Sequence, residues 1–358
     1  MRYLFKTHYA QDLALFEHNG QRFWYALLGL ALLAMPWVAS GYWVSQMIFI
    51  FIYGVIGLGL MLLAGYTGQM SIGHAAFMAV GAYTEAVLAV RGWPFPLTLL
   101  VSSLLAAAVG LVVGLPALRL RGLYLAIATL AFGFIIEEVI ARWESVTGGN
   151  AGMRVKPIML LGISLRDSTS FYYVGLACVL LTVFLVRNLL RTPTGRAFVA
   201  IRDSEISAQS MGIALARTKT LAFGLSAALA GLGGALYARK VGFISPEQFT
   251  VMQSIELVMM IVIGGLGSLH GVFLGAAFVI ALPQVIAMVK DYLPAAIGAS
   301  PGLQPTVFGL ILMAFLLFEP LGLYGRWVKI RTYLELFPYY RGGMFARQRS
   351  FQKSERTK

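Results

Sequence analysis

The stretch GYWVSQMIFIFIYGVIGLGLMLLAGYTGQMSIGHAAFMAVGAY, residues 41–83, decides the fold class. From Val44 to Ala64 it carries no charged residue and is apolar nearly all round. A run of about 20 such residues is what one helix needs to cross the hydrocarbon core of a bilayer. The run stops at Gly65, passes through Thr67, Gln69, Ser71 and His74, and turns apolar again toward Val90. Lipid leaves no water for backbone groups, so each apolar run reads as a helix that satisfies its own hydrogen bonds.

The same pattern recurs along the chain. Apolar segments fall at 23–40, 44–64, 73–90, 96–117, 122–140, 171–187, 220–238, 255–267, 271–289 and 305–324. The reading is an all-α polytopic membrane protein with about ten transmembrane helices, the eighth being short. Gly264, Gly265 and Gly267 are placed to break one long element into helix, turn and helix. Composition agrees, with 59% hydrophobic residues, 12% charged and a mean hydropathy of +0.78 over 358 residues. Soluble domains hold about 25% charged residues, so a soluble fold is excluded, and so is a disordered chain. Cys178, the one cysteine, excludes an intrachain disulfide and reads as a small packed hydrophobe. Val38-Ala39-Ser40 has small residues suited to signal cleavage, but a polar stretch of 22 residues precedes the first apolar run, which is expected to stay as an anchor.

A formal charge of +13 reports topology here rather than nucleic acid, and no nucleic-acid partner is expected. With the N-terminus inside, 20 of the 28 Lys and Arg fall on the inner side, Arg119 and Arg121 among them. Both termini are therefore expected in the cytoplasm. Residues 1–22 form an inner N-terminal segment, 23–327 the membrane domain and 328–358 a basic tail touching anionic lipid. Two connections exceed simple turns: an outer loop over 141–170 and an inner loop over 188–219.

No catalytic constellation stands out. A Gly-Lys dipeptide is absent, which removes a phosphate-binding P-loop, and the four histidines are scattered, with no H-E-x-x-H pair. Neither a catalytic nor a metal site is expected. In the interrupted stretch, Gly65, Gly68 and Gly73 permit a tight path, while Gln69, Ser71 and His74 offer polar groups. The stretch is either a segment beside a translocation path or an ordinary turn in which Gln69 and Ser71 cap a helix. His74 suits hydrogen bonding better than metal ligation.

In the inner loop, Pro193 and Gly195 are expected to end the sixth span, with Phe198 and Ile201 on one side of an amphipathic piece. Asp203 can cap a short helix over 204–211 that Gly212 would close. Such a helix either docks into a partner's groove or is a solvated connector. The intramembrane acids Glu85, Glu137, Glu138, Glu256 and Glu319 are placed for interfacial pairing or solvation, the sharper alternative being that Glu85 or Glu256 receives the ammonium of an entering zwitterion.

Five segments carry a resemblance. They are GYTGQMSIGHAAFMAVGAY at 65–83, TGGNAG at 147–152, GRAFVAIRDSEISAQSMGI at 195–213, VGFISPEQFTVMQSIELVMMIVIGGLGSLHG at 241–271 and FEPLGLYGRW at 318–327. In this order and spacing the chain resembles the permease subunits of branched-chain amino-acid ABC importers, the larger of the two partner permeases. The resemblance implies the ABC importer permease fold, a second related permease, two ATP-binding subunits and a periplasmic amino-acid-binding protein, in a bacterial inner membrane. ATP and Mg would sit on the partners, with no cofactor on this chain.

The resemblance also places ATPase coupling on 195–213, at Gly195, Arg196, Phe198, Arg202, Asp203, Glu205 and Gly212. The candidate path residues remain those read from the sequence itself, Gly65, Gly68, Gln69, Ser71 and His74 of the interrupted stretch, with Glu85 and Glu256 of the intramembrane acids. Gly148, Gly149 and Asn150 would meet the binding protein. His270 departs from the apolar residue the family leads one to expect, and the first 45 residues and the tail have no clear counterpart. Similar permeases serve urea, short amides or aromatic carboxylates; Gln69-Met70-Ser71 looks closer to the amino-acid branch. Two rivals are an ion-coupled secondary transporter using the intramembrane acids and an integral membrane enzyme, which the lack of clustered catalytic groups disfavours.

Overall fold

The computed structural model describes residues 19–117, 120, 122–156, 159–160, 163–164, 168–289, 302–318 and 321–336. Expectations for residues 1–18, for Arg119, Arg121 and Glu319, and for most of the basic tail lie outside them. The described residues are helical nearly throughout. The helices are α1 (Asn19–Val38), α2 (Gly41–Leu60), α3 (His74–Val90), α4 (Phe95–Ala117), α5 (Leu123–Arg142), α6 (Glu144–Thr147) and α7 (Ser168–Arg191). After them come α8 (Pro193–Asp203), α9 (Glu205–Ser210), α10 (Leu215–Val241), α11 (Val251–Gly264), α12 (Leu269–Val289), α13 (Leu303–Phe318) and α14 (Gly322–Leu336). A π-helical turn, Met61–Tyr66, continues α2.

Among the described residues, seven helical stretches are long and apolar enough to cross a membrane: Gly41–Tyr66, Phe95–Pro116, Leu123–Arg142, Ser168–Arg191, Leu215–Val241, Pro246–Gly264 and Leu269–Met288. Two apolar helices are shorter, Arg22–Val38 and His74–Val90. The glycine break behaves as expected: α11 stops at Gly264, Gly265 and Gly267 take φ of 115° and 84°, and α12 starts at Leu269. Two spans run beyond the segments read from hydropathy, 168–191 against 171–187 and 215–241 against 220–238. Polar residues at both ends still complete helical turns there. The expected start of the tail, at 328, falls inside α14.

Helix α10 is the centre, packed against α2, α3 and α4. Small residues let the backbones approach. A Cβ on Gly81 would meet the carbonyl of Gly231, one on Gly234 would meet that of Met78, and one on Gly110 would meet Ala227. Such contacts hold membrane helices together where lipid is as apolar as leucine.

Successive helices place the connections at alternate ends of the bundle. One end carries 67–73, the α7–α10 connection and the 265–268 turn. Tyr25 of α1 reaches this end, its hydroxyl 2.7 Å from His270 Nε2, and the His270 ring stacks on Tyr324 of α14 at 5.9 Å. The unexpected histidine thus ties three helices. At the other end, β1 (Met153–Arg154) pairs antiparallel with β4 (Phe243–Ile244), and β2 (Met159–Leu160) with β3 (Ile163–Ser164).

Candidate functional site

Three segments far apart in sequence meet at the first end: the break after the π turn, the α8–α9 segment and the turn between α11 and α12. The π turn closes on itself because Thr67 Oγ1 donates to the carbonyls of Leu62 and Leu63 at 2.8 and 2.7 Å. Gly68 follows with φ +71°, a conformation that costs a residue with a Cβ about 1 kcal/mol or more. Gly65 has no room for a side chain, since a Cβ would press on Met61 Sδ and on the Gly267 amide. That amide in turn donates to Met61 Sδ at 3.1 Å.

Helix α3 then starts at a buried point where water cannot serve its first amides. Three hydroxyls serve the amides that lead into it and one of its first turn. Ile72 N donates to Thr129 Oγ1 at 3.0 Å, Gly73 N to Ser71 Oγ at 3.4 Å and Ala75 N to Ser254 Oγ at 3.0 Å. Gly73 lies so close to the Thr129 carbonyl that a Cβ there would overlap it. His74 is fully buried, with Nε2 at 2.9 Å from Ser226 Oγ. Ser226 gives its own proton to the Gly59 carbonyl at 2.6 Å, so its oxygen accepts from His74 and the imidazole carries its proton on Nε2. His74 therefore joins α3, α10 and α2. Replacing it by Phe keeps the bulk and removes the bonds, which is expected to destabilise the protein by about 1–3 kcal/mol. A lower thermal midpoint in detergent measures this, and an unchanged midpoint would deny the histidine its linking role.

The α7–α10 connection packs one side onto the bundle and leaves the other exposed. Thr192 caps α8 by accepting from Gly195 N at 3.4 Å, so Pro193 opens a new helix instead of closing the sixth span, which ends at Arg191. Gly195 is buried against Leu189 and Leu190, where a Cβ would collide with backbone. Phe198 and Ile201 are buried, Phe198 packing with Leu63, Leu125, Ala222 and Phe223. Arg196 stays exposed, its Nη1 donating to the Arg191 carbonyl at 3.1 Å.

The expected cap is corrected. Asp203 ends α8, and its Oδ1 is taken by Arg202 Nε and Nη2 at 3.1 and 3.0 Å. Ser204, extended at φ −162° and ψ 116°, caps α9 instead through Ser207 N at 3.3 Å. Gly212, at φ +83°, closes α9 as expected. Glu205 binds Lys219 Nζ at 2.6 Å, and this lysine side chain is only 7% exposed.

Arg202 joins the three segments. Its Nη1 donates to the Gly65 carbonyl at 3.2 Å, its stem packs on Gly68, and it approaches Gly267. Of the sequence-derived residues, Gly65, Gly68, Arg202, Asp203 and Glu205 thus gather here. Ser71 and His74 lie in the adjoining network, and Gln69 is buried with Nε2 unpartnered among the described residues. Gly267, Thr129, Ser226 and Ser254 complete the arrangement without having been singled out for it. In sequence each hydroxyl is one polar residue in an apolar helix.

Gly148, Gly149 and Asn150 lie at the opposite end. Gly148 and Gly149 take φ of 73° and 57°, and Asn150 is exposed. Gly152 packs under Ile244 and Phe243, holding this loop to the α10–α11 connection. Glu85 is near the same end and is already engaged: its Oε1 accepts from Arg239 Nε at 2.5 Å and from Thr98 Oγ1 at 2.8 Å. Glu256 stands apart, half-buried beside a pocket formed with α2 and α12.

The profile of the family described as "Branched-chain amino acid transport system / permease component" matches residues 42–318. Proteins from Salmonella typhimurium and Escherichia coli K12 named "High-affinity branched-chain amino acid transport system permease protein LivM" are 36% identical over 292 residues, covering 75% of this chain and 68% of theirs. A Methanocaldococcus jannaschii protein, "Probable branched-chain amino acid transport permease protein LivM", is 27% identical over 233 residues, 63% of this chain and 67% of its own. No solved structure matches. A match over this much of the helical bundle settles the family: the chain belongs to the permease components of branched-chain amino acid transport systems.

Proposed function

We propose that this protein is the transmembrane permease subunit of an ATP-driven importer that moves branched-chain or related hydrophobic amino acids into a bacterial cell by alternating access. The observation that carries the reading is the α8–α9 segment, anchored by Phe198, Ile201 and Glu205 yet presenting Ile206 and Met211 at 75% and 86% exposure. Rigidly held apolar side chains beside the charges of Arg202, Asp203 and Arg217 form a surface that a partner's groove can receive. The partner is an ATP-binding subunit, two of which hold ATP and Mg and perform the hydrolysis. In this reading the ATP, the Mg and the hydrolysis belong to those subunits and not to this chain. A second permease completes the path, and a periplasmic binding protein delivers substrate to the end that carries Gly148, Gly149 and Asn150.

In this arrangement about ten helices cross the inner membrane, with residues 23–327 as the permease domain and both terminal segments on the cytoplasmic side, the basic tail against lipid. The Tyr25–His270–Tyr324 contact supports it, since it brings α1 and α14 to the end where α9 lies. The bias of Lys and Arg toward that end supports it too.

The test is co-purification of the tagged chain from native membranes, followed by ATPase assay of the reconstituted assembly. Recovery of a second permease and ATPase subunits, with hydrolysis stimulated by a binding protein loaded with leucine, isoleucine or valine, is the expected result. Purification alone, with solute movement in liposomes without ATP, would overturn it. Within the assembly, Ile206→Asp combined with Met211→Asp is expected to lower the recovered ATPase subunit about tenfold or more, since desolvating a charge in an interface costs over 1.4 kcal/mol. Both side chains are solvent-exposed, so amounts of this chain in the membrane should not change. Undiminished ATPase recovery would remove α9 from the interface.

A further inference from the structure

Glu256 borders open space within the helical bundle. Among the described residues no ion pair holds it, whereas Glu85 is bound to Arg239, Glu138 to Arg142 and Glu205 to Lys219. It lines a partly open pocket of about 190 Å³ with Gln46 and Tyr53 of α2 and Val279, Ile280 and Pro283 of α12. That is roughly six water volumes at 30 Å³ each, the scale of one small solute. Gln46 and Glu256 each stand five residues into helices that begin at Gly41 and Val251. Both are therefore roughly 8 Å below the same end of the bundle, at 1.5 Å per residue, and this is the end that carries the proposed binding-protein contact.

We propose that this pocket receives a zwitterionic aliphatic amino acid as it enters the permease, with Glu256 binding its ammonium group. The proposal rests on the importer reading above and names a substrate contact that reading leaves open. The pocket offers each part of such a solute a partner. A carboxylate at this depth is costly unless a cation meets it, and an ammonium supplies that cation through charge-assisted hydrogen bonds. The Gln46 amide and the Tyr53 hydroxyl can donate to the substrate carboxylate. Val279, Ile280 and Pro283 give an aliphatic side chain an apolar wall. Glu85, by contrast, already holds Arg239, the partner that compensates its burial.

Cys178 is the one native cysteine, so Cys178→Ala with Ile280→Cys leaves a single reporter in the pocket. In the complete transporter, reconstituted with its partners, the rate of modification by a water-soluble methanethiosulfonate is followed with and without free ligands. Leucine in about tenfold excess over its Kd is expected to slow modification about tenfold, and isoamylamine, which keeps the ammonium and lacks the carboxylate, to slow it as well. Isocaproate, which lacks the ammonium, should not. Glu256→Gln is expected to abolish protection by both amines, and Glu256→Asp to keep part of it. Modification in the absence of ligand reports that the pocket is formed in each variant. Equal protection by isocaproate and isoamylamine, leucine protection surviving Glu256→Gln, or no protection by leucine would each overturn the proposal. If the assembly carries no amino acid while leucine and isoamylamine still protect through Glu256, the site stands and the transport reading falls.

Discussion

Arg202→Ala is expected to cut amino-acid uptake about tenfold to a hundredfold while ATP hydrolysis stimulated by the binding protein remains. The guanidinium is divided between two segments: Nε and Nη2 hold Asp203, next to α9, and Nη1 holds the Gly65 carbonyl at the end of the π turn. A hydrogen bond from a charged donor is worth about 1.5–3 kcal/mol. If it is made in one conformation of the transport cycle and not in the other, its removal shifts their balance by the factor stated, since 1.4 kcal/mol is tenfold. An ATPase subunit would then still close against α9, but its movement would reach the membrane helices less effectively. Arg202→Lys should be intermediate, because one ammonium cannot hold Asp203 and Gly65 in the same fork. Uptake into vesicles and ATPase activity are measured on the same preparation. A parallel fall in both would mean lost assembly, and unchanged uptake would mean that Arg202 transmits nothing.

The helical bundle was legible because lipid imposes one strong rule on the backbone, and ten apolar runs broken by glycine record it. The glycine break at 264–267 and the buried face of Phe198 and Ile201 were legible for the same reason, since periodicity reports local burial. What escaped depends on which side chains meet, in one case between neighbours and otherwise far apart in sequence. Asp203 and Ser204 are both good caps, and only the neighbouring Arg202, which occupies the aspartate, decides for the serine. Thr129, Ser226 and Ser254 serve amides and an imidazole contributed by 72–75, and nothing in their own helices announces it. Arg239 lies just past the segment read as ending at 238, whereas α10 continues to Val241 and holds it in its last turn.

That continuation sets the largest stability effect expected in the protein. Glu85 is fully buried and the Arg239 side chain is 4% exposed, so each is the other's compensation for leaving water. Arg239 is fixed further by Nη1 on the Lys156 carbonyl at 2.6 Å and by its guanidinium carbon 5.5 Å from the Phe95 ring centre. The pair binds α3, α4 and α10 to the loop that carries Lys156. Arg239→Ala leaves a buried carboxylate with Thr98 as its remaining donor and is expected to destabilise the protein by about 3–5 kcal/mol. Glu85→Ala strands the arginine at similar cost, while Glu85→Gln, which keeps an acceptor for Thr98, should cost less than Glu85→Ala. Thermal midpoints in detergent rank the three. The double replacement Glu85→Leu with Arg239→Met removes both charges and fills the space, and should recover most of the loss, because well-packed apolar residues often match or exceed a buried ion pair. Uptake by this double variant separates the two roles open to Glu85. Recovery of transport together with stability assigns Glu85 to holding the bundle; stability regained without transport would assign it to the path.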